Sequence, residues 1–133
     1  MKQVAKRYCK CMELKDDPNT IDEYKKIHGI GAVWPEVTEG MKEIGILNME
    51  IYISGTTLFM IMDTKPDFNH EQAMDKLAKL PRQSEWEAFV ANYQDANSDA
   101  SAGQKWKLLE RIYKMDQKQN ENFQDGYIQE ISI

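Results

Sequence analysis

The sequence predicts an α+β fold on the split-βαβ, ferredoxin-like plan, a four-stranded antiparallel sheet with helices on one face. Three observations carry that expectation. Strand-like and helical segments follow one another as β, α(α), β, β, α(α), β. The two middle strand-like segments are joined by Ser54-Gly55-Thr56, the short turn of a hairpin. The length of 133 residues suits one domain able to bury a core without disulfide or metal.

Val4 to Leu14 has strand texture, with Tyr8 and Met12 on one face and Cys9 and Cys11 on the other. At Asp16-Asp17-Pro18 either aspartate can cap a helix, and Pro18 fits its first turn because the missing N–H has no partner there. That helix carries Ile21, Tyr24, Lys25 and His28 on one stripe and stops at Gly29. Trp34-Pro35 opens a second helix, Pro35 to Ile44, ended by Gly45. Asn48 to Ile53 and Thr57 to Asp63 are the hairpin strands. Pro66 to Asn69 caps a third helix, His70 to Leu80, with Met74, Leu77 and Ala78 on its buried face. Arg82 to Gln94 is a fourth, with Trp86, Phe89 and Tyr93 at helical spacing. A polar loop, Asp95 to Gln104, leads to a last strand, Lys105 to Tyr113, that includes Trp106. Residues 1–113 are thus the expected domain and 114–133 a tail. In that tail Asp116 to Gln124 is polar and expected to be mobile. Tyr127 to Ile133 alternates like a strand that pairs at an edge or crosses to a partner.

A sheet covered on one side leaves Glu50, Tyr52, Phe59 and Ile61 on a semi-apolar face, so two copies packed sheet to sheet, a dimeric α/β barrel, are expected. The net charge of -5, with scattered Lys and Arg, argues against nucleic acid as a partner, because phosphate binding needs a concentrated basic face. No apolar run approaches bilayer-spanning length, and Met1 to Lys6 lacks the apolar stretch of a signal peptide. Cys9 and Cys11, two apart on a strand, would form a strained bridge and read as free thiols, which fits a cytoplasmic location.

With two histidines and no HxxxH or CxxC spacing, no metal site is expected. Gly29-Ile30-Gly31 is a lone GxG without a preceding strand or a third glycine, and there is no GxSxG. No cofactor is called for. His28 is the best candidate for chemistry, because imidazole gives and takes a proton near neutral pH. Tyr24 lies one turn earlier on the same helix face and can bond a hydroxyl. On spacing alone, the pair also fits the boundary of an amphipathic helix. Trp34 and Trp86 offer wide apolar planes that suit the C–H face of a sugar, though helix packing explains most tryptophans. Among the carboxylates, Glu36, Glu50, Asp63 and Glu85 fall beside such positions, with solvated surface charge as their default.

The stretch Asp22-Glu-Tyr-Lys-Lys-Ile-His28, followed by Val33-Trp-Pro-Glu-Val37, resembles the signature of the L-rhamnose mutarotase family. The likeness continues through Gly45 to Tyr52, Leu58 to Met62, Arg82 to Trp86 and Lys105 to Glu110, and so spans about residues 4–113 in order. It implies a ferredoxin-like dimer that interconverts the α and β anomers of a monosaccharide, with His28 as proton donor and Tyr24 and Trp86 in contact with the sugar. Two departures stand out. The loop between His28 and Trp34 is two residues longer than in the enterobacterial rhamnose enzymes. Met49 and Glu85 replace a sugar-binding tyrosine and the first of two adjacent tryptophans. Longer-loop relatives are similar to L-fucose mutarotases, so the substrate implied is a 6-deoxy-L-hexose, L-rhamnose or L-fucose. Residues and resemblance together give the expectation of an isomerase whose catalytic groups are His28 and Tyr24 and whose sugar-binding residues are Trp86, Trp34, Met49 and Glu85, Trp34 on its indole chemistry and Met49 and Glu85 on the family positions they occupy.

Mutarotation needs only proton transfer. One group protonates the ring oxygen while another removes the anomeric hydroxyl proton, the aldehyde turns, and the roles reverse. Two other readings remain. A cofactor-free monooxygenase of the dimeric ferredoxin-like barrel type would need a deeper apolar pocket. A non-catalytic sugar-binding module would bind without exchange.

Overall fold

The computed structural model describes residues 2–97, 99–115 and 124–132. In chain order the elements are β1 (Lys2–Glu13), α1 (Pro18–Ile27), α2 (Pro35–Glu43), β2 (Ile46–Ser54), β3 (Thr57–Thr64), α3 (His70–Ala78), α4 (Gln83–Val90), α5 (Ala102–Lys105), β4 (Lys107–Leu108) and β5 (Tyr127–Ser132). The sheet runs β2-β3-β1-β4, all pairings antiparallel, which is the split-βαβ order. The strand β5 also pairs with β1, so the sheet has five strands rather than four. It takes the lower part of the edge, Lys2 to Arg7, while β4 takes Lys10 and Cys11.

Local chemistry explains the boundaries. Asp17 caps α1, its Oδ1 accepting from the Asn19 amide at 3.2 Å and its Oδ2 from the Thr20 hydroxyl at 2.8 Å. Pro18 and Pro35 each sit in a helix first turn. Asn69 caps α3 by accepting from the Gln72 amide at 3.0 Å. Gly45 closes the second helix at φ 105°, a conformation that an L side chain rarely adopts.

The helices cover one face of the sheet. Tyr8, Met12, Leu58, Met60 and Met62 of β1 and β3 pack against Tyr24, Val37, Trp86 and Val90 of the helices. The approach of α2 to α4 depends on Gly40. A Cβ there would collide with the Gln83 side-chain nitrogen, and that buried amide donates to the Val37 carbonyl at 3.1 Å and the Glu36 carbonyl at 3.3 Å. Such bonds fix how far α4, with its inward aromatic residues, stands from α2.

Several expectations need correction. The segment Lys105 to Tyr113 is not a strand. Only Lys107–Leu108 pairs with β1, and Trp106 is the cap residue between α5 and β4, buried in the core. The polar loop before it contains a helical turn whose capping box, Ser101 with Gln104, is written in the sequence as Ser-x-x-Gln. The fourth helix ends at Val90, and Gln94 instead bridges to Leu14. In α3, Ala78 is exposed and Ala73 turns inward. The strand β2 begins two residues earlier than expected, with an irregularity between Ile46 and Asn48 that places Leu47 in a bulge. In the tail, the Tyr8 hydroxyl donates to the Asp125 carbonyl at 3.2 Å, and Gly126 lies so close to the Tyr8 ring that only glycine fits. Asp116 to Phe123, expected to be mobile, lie outside the described residues. No helix among the described residues is long and apolar enough to cross a membrane.

Candidate active site

A cavity of about 450 Å³ opens between the helices and the sheet, within the usual range for small-molecule sites. Its wall is mostly apolar, with methionines from β2, β3 and α3. Into it come a few polar groups: Tyr24 and His28 from α1, Glu87 from α4, Gln94, and Lys10 from β1. An apolar wall with few polar groups fixes a ligand's orientation, because each buried polar atom must find a partner.

His28 sits at the C-cap of α1. Its Nδ1 lies 2.8 Å from the Tyr24 carbonyl oxygen. A carbonyl only accepts, so Nδ1 carries the hydrogen, and in the neutral ring Nε2 holds the lone pair. Burial pushes the imidazole below its ordinary value of 6.5, more than the bond to Tyr24 raises it, so the neutral form dominates at neutral pH. The Tyr24 ring lies at 4.2 Å from the His28 ring, and the Trp86 indole meets it edge-on at 5.6 Å. These contacts hold the imidazole in one orientation.

Tyr24 is buried, and desolvation pushes its phenol up to about 12. It therefore stays a neutral hydrogen-bonding group. Gln94, 2 % exposed, reaches the Tyr24 oxygen with Nε2 only at 3.5 Å, and its Oε1 has no partner among the described residues. An unpaired buried acceptor on the cavity wall is suited to a ligand hydroxyl. Glu87 is partly shielded by Lys105, whose Nζ lies 3.0 Å from its Oε1. Burial raises the Glu87 carboxyl against the opposing pull of Lys105.

The structure brings together four of the six residues singled out from the sequence. Tyr24, His28, Met49 and Trp86 all line the cavity. Trp34 and Glu85 do not. Trp34 stacks on Phe89 at 5.5 Å, meets Trp86 edge-on at 5.1 Å, and carries the Arg82 guanidinium over its ring at 4.1 Å. It buttresses Trp86 from behind. Glu85 is 65 % exposed in its side chain and pairs with Arg82 at 3.5 Å. The reason is helical rotation: with Trp86 turned inward, the residue before it points to solvent. Glu36 likewise faces Arg82, at 3.8 Å. Asp63 is held by Arg7 at 2.8 Å, away from the cavity lining.

Several polar residues on the wall lie outside the set drawn from the sequence, Lys10, Glu87 and Gln94 among them. For Lys10 a signal existed. It falls between Tyr8 and Met12 in a period-two strand, so it occupies an inward position where an unpaired lysine is anomalous. Gln94 carries no such signal, because it lies past the end of α4. Among the described residues there is no cluster of three or more His, Cys, Asp or Glu side chains that would hold a metal ion.

The family model described as L-rhamnose mutarotase matches residues 7–115. An L-fucose mutarotase of Xanthomonas campestris pv. campestris is 32% identical over 111 residues, covering 84% of this chain and 89% of that protein. An L-rhamnose mutarotase of Ligilactobacillus salivarius is 33% identical over 88 residues, covering 64% of this chain and 78% of that protein. Among solved structures, an L-rhamnose mutarotase from Formosa agariphila superposes with a TM-score of 0.62 at 23% identity, covering 83% of this chain and 98% of that one. At that identity the structural likeness speaks for the fold, while the sequence matches speak for the lineage.

Proposed function

We propose that this chain, which belongs to the L-rhamnose mutarotase family, interconverts the α and β anomers of a 6-deoxy-L-hexose with His28 as its acid–base group. It is an isomerase. The observation that carries the residue assignment is the bond from His28 Nδ1 to the Tyr24 carbonyl, which leaves a basic Nε2 on a sugar-sized cavity. In the cyclic sugar, Nε2 takes the proton of the anomeric hydroxyl as the C1–O5 bond opens and a second donor protonates O5. After rotation about C1–C2, O5 gives that proton back as it closes on the other face of the aldehyde, and the imidazolium reprotonates O1. Trp86 offers its indole to the apolar C–H face of the ring, and Tyr24 and Gln94 bond hydroxyls. Met49, also on the wall, gives the 6-methyl group an apolar contact.

Saturation-transfer NMR tests the reading. Irradiating one anomeric proton of L-rhamnose or L-fucose should attenuate the other when protein is present at a small fraction of the sugar. Binding without transfer would select a non-catalytic sugar module, and neither effect would remove the sugar reading altogether.

The assembly belongs to the same proposal. On the sheet face away from the helices, Tyr52 is 54% and Phe59 40% exposed, and they pair directly across β2 and β3. Glu50 and Ile61 form the next row, with Cys9 opposite Ile61 on β1. A second copy packed on this face would cover it as a closed two-fold dimer. Sedimentation at micromolar concentration should give twice the monomer mass; a fully active monomer would count against it. The free thiols Cys9 and Cys11 on that face suit a reducing compartment, and the cytoplasm is the proposed location.

A further inference from the structure

Lys10 is an unusual residue to find where the fold puts it. It sits in the middle of β1, paired to Met60 of β3 and Leu108 of β4, and it is 1% exposed. A buried ammonium is ordinarily matched by a carboxylate, because losing water without a counter-charge is costly. Here the one carboxylate on the same cavity wall among the described residues, Glu87, faces Lys105 instead. Among the described residues the Lys10 ammonium makes no ion pair or hydrogen bond. The fold gains nothing evident from its charge, and Met60, Met62 and Met74 nearby show that an unbranched apolar side chain suits this wall.

The reaction, on the other hand, has a use for it. Opening a hemiacetal needs a base at the anomeric hydroxyl and an acid at the ring oxygen. His28 is neutral and serves as the base. Tyr24, with its phenol pushed up to about 12, is a poor acid at neutral pH. Lys10 lines the same cavity as both.

We propose that Lys10 is the second proton-transfer residue of the cavity, its ammonium protonating the ring oxygen while His28 Nε2 takes the anomeric hydroxyl proton. The inference rests on the mutarotase reading above. In the opening step the O1–H and C1–O5 bonds break, C1–O1 becomes a carbonyl, and O5 gains a proton from Nζ. The products are the open-chain aldehyde, imidazolium and a neutral amine. On closure the amine takes the O5 proton back, O5 adds to C1, and the imidazolium protonates O1. Protons and electrons balance over the cycle. Burial lowers the Lys10 ammonium to about 8, so it gives and regains a proton near neutral pH far more readily than a solvated lysine. The titratable groups around it agree with this role. From α1 come neutral His28 and Tyr24, from α2 the exposed Lys42, and from α4 Glu87 bound to Lys105. From α3 comes His70, pushed down to about 4 by burial and by Lys10, and therefore neutral. None of them supplies a free negative charge that would hold Lys10 permanently protonated.

The test compares wild type with Lys10→Met for exchange of whichever 6-deoxy sugar the wild type turns over. The expected result is a fall in kcat of about 10²-fold with a much smaller change in KM. The wild-type kcat should decline above about pH 8, and the variant should lack that alkaline limb. Independently of any variant's folding, NMR titration of protein labelled at the lysine ε-carbons should show one lysine titrating near 8 and shifting when sugar binds. Wild-type exchange with an unchanged kcat in Lys10→Met overturns the proposal, as does a loss confined to KM, or a full set of lysines titrating at ordinary values. A borohydride-trapped imine at Lys10 would make the amine a nucleophile and overturn it too. If the wild type exchanges no sugar, the mutarotase reading falls first and this one with it.

Discussion

His28→Asn is expected to slow anomer exchange by about 10²-fold or more while the domain stays folded, the usual worth of one general acid–base group. His28 occupies the C-cap of α1 at φ -106° and ψ 4°, a conformation that asparagine accepts readily. The asparagine amide can still donate to a nearby carbonyl, so the helix end keeps a partner; what disappears is the basic lone pair on Nε2. The pH dependence follows from the lowered histidine value. In wild type the basic form predominates at neutral pH and is lost as pH falls through a pKa below 6.5, so exchange should decline on that acid limb. The variant's residual rate should not follow it. Circular dichroism checks the fold, and normal exchange in a folded variant would remove His28 from the mechanism.

Trp86→Ala should cost about 3–5 kcal/mol of stability, the usual price of emptying a core tryptophan site. The indole is only 4% exposed and packs against Trp34, Phe89 and His28 with ring centroids 5.1, 5.7 and 5.6 Å away. Removing it leaves Trp34 without its edge contact and the His28 ring without a wall. Any loss of sugar binding in that variant would therefore mix a missing platform with a displaced base. Trp86→Phe keeps an aromatic face and should retain most of the stability while weakening L-rhamnose and L-fucose alike. Urea unfolding measures this through the midpoint at unchanged slope. A cost below about 1 kcal/mol would mean that the cluster closes over the gap and that Trp86 is not its keystone.

What the sequence disclosed and what it concealed divide along physical lines. Helix starts were legible because Asp17, Pro18, Pro35 and Asn69 act through their own backbones within a few residues. The hairpin at Gly55 was legible for the same reason. The last strand was not. Lys105 to Tyr113 contains enough apolar residues to read as a strand, but only Lys107 and Leu108 form strand pairs with β1, because β5 takes the lower part of the same β1 edge. That competition is a long-range fact with no local trace. The site shows the same division. Tyr24 and His28 share a helix face, so their spacing alone places them together. Glu85 stands beside Trp86 in sequence and yet points to solvent, since adjacent residues on a helix diverge by about 100°. Trp34 was expected against the sugar and instead supports Trp86 from the side of Phe89. Gln94 becomes a wall residue only because the chain turns after Val90 and bridges to Leu14.

The central claim is that this cavity catalyses exchange at the anomeric carbon, and polarimetry of freshly dissolved single-anomer sugar tests it most directly. With L-rhamnose or L-fucose, the first-order approach to equilibrium rotation should quicken in proportion to added protein and end at the same final rotation as in buffer, since a catalyst leaves the anomer ratio unchanged. A rate that stays at the buffer value for both sugars, at protein concentrations where the fold is intact, would contradict the account.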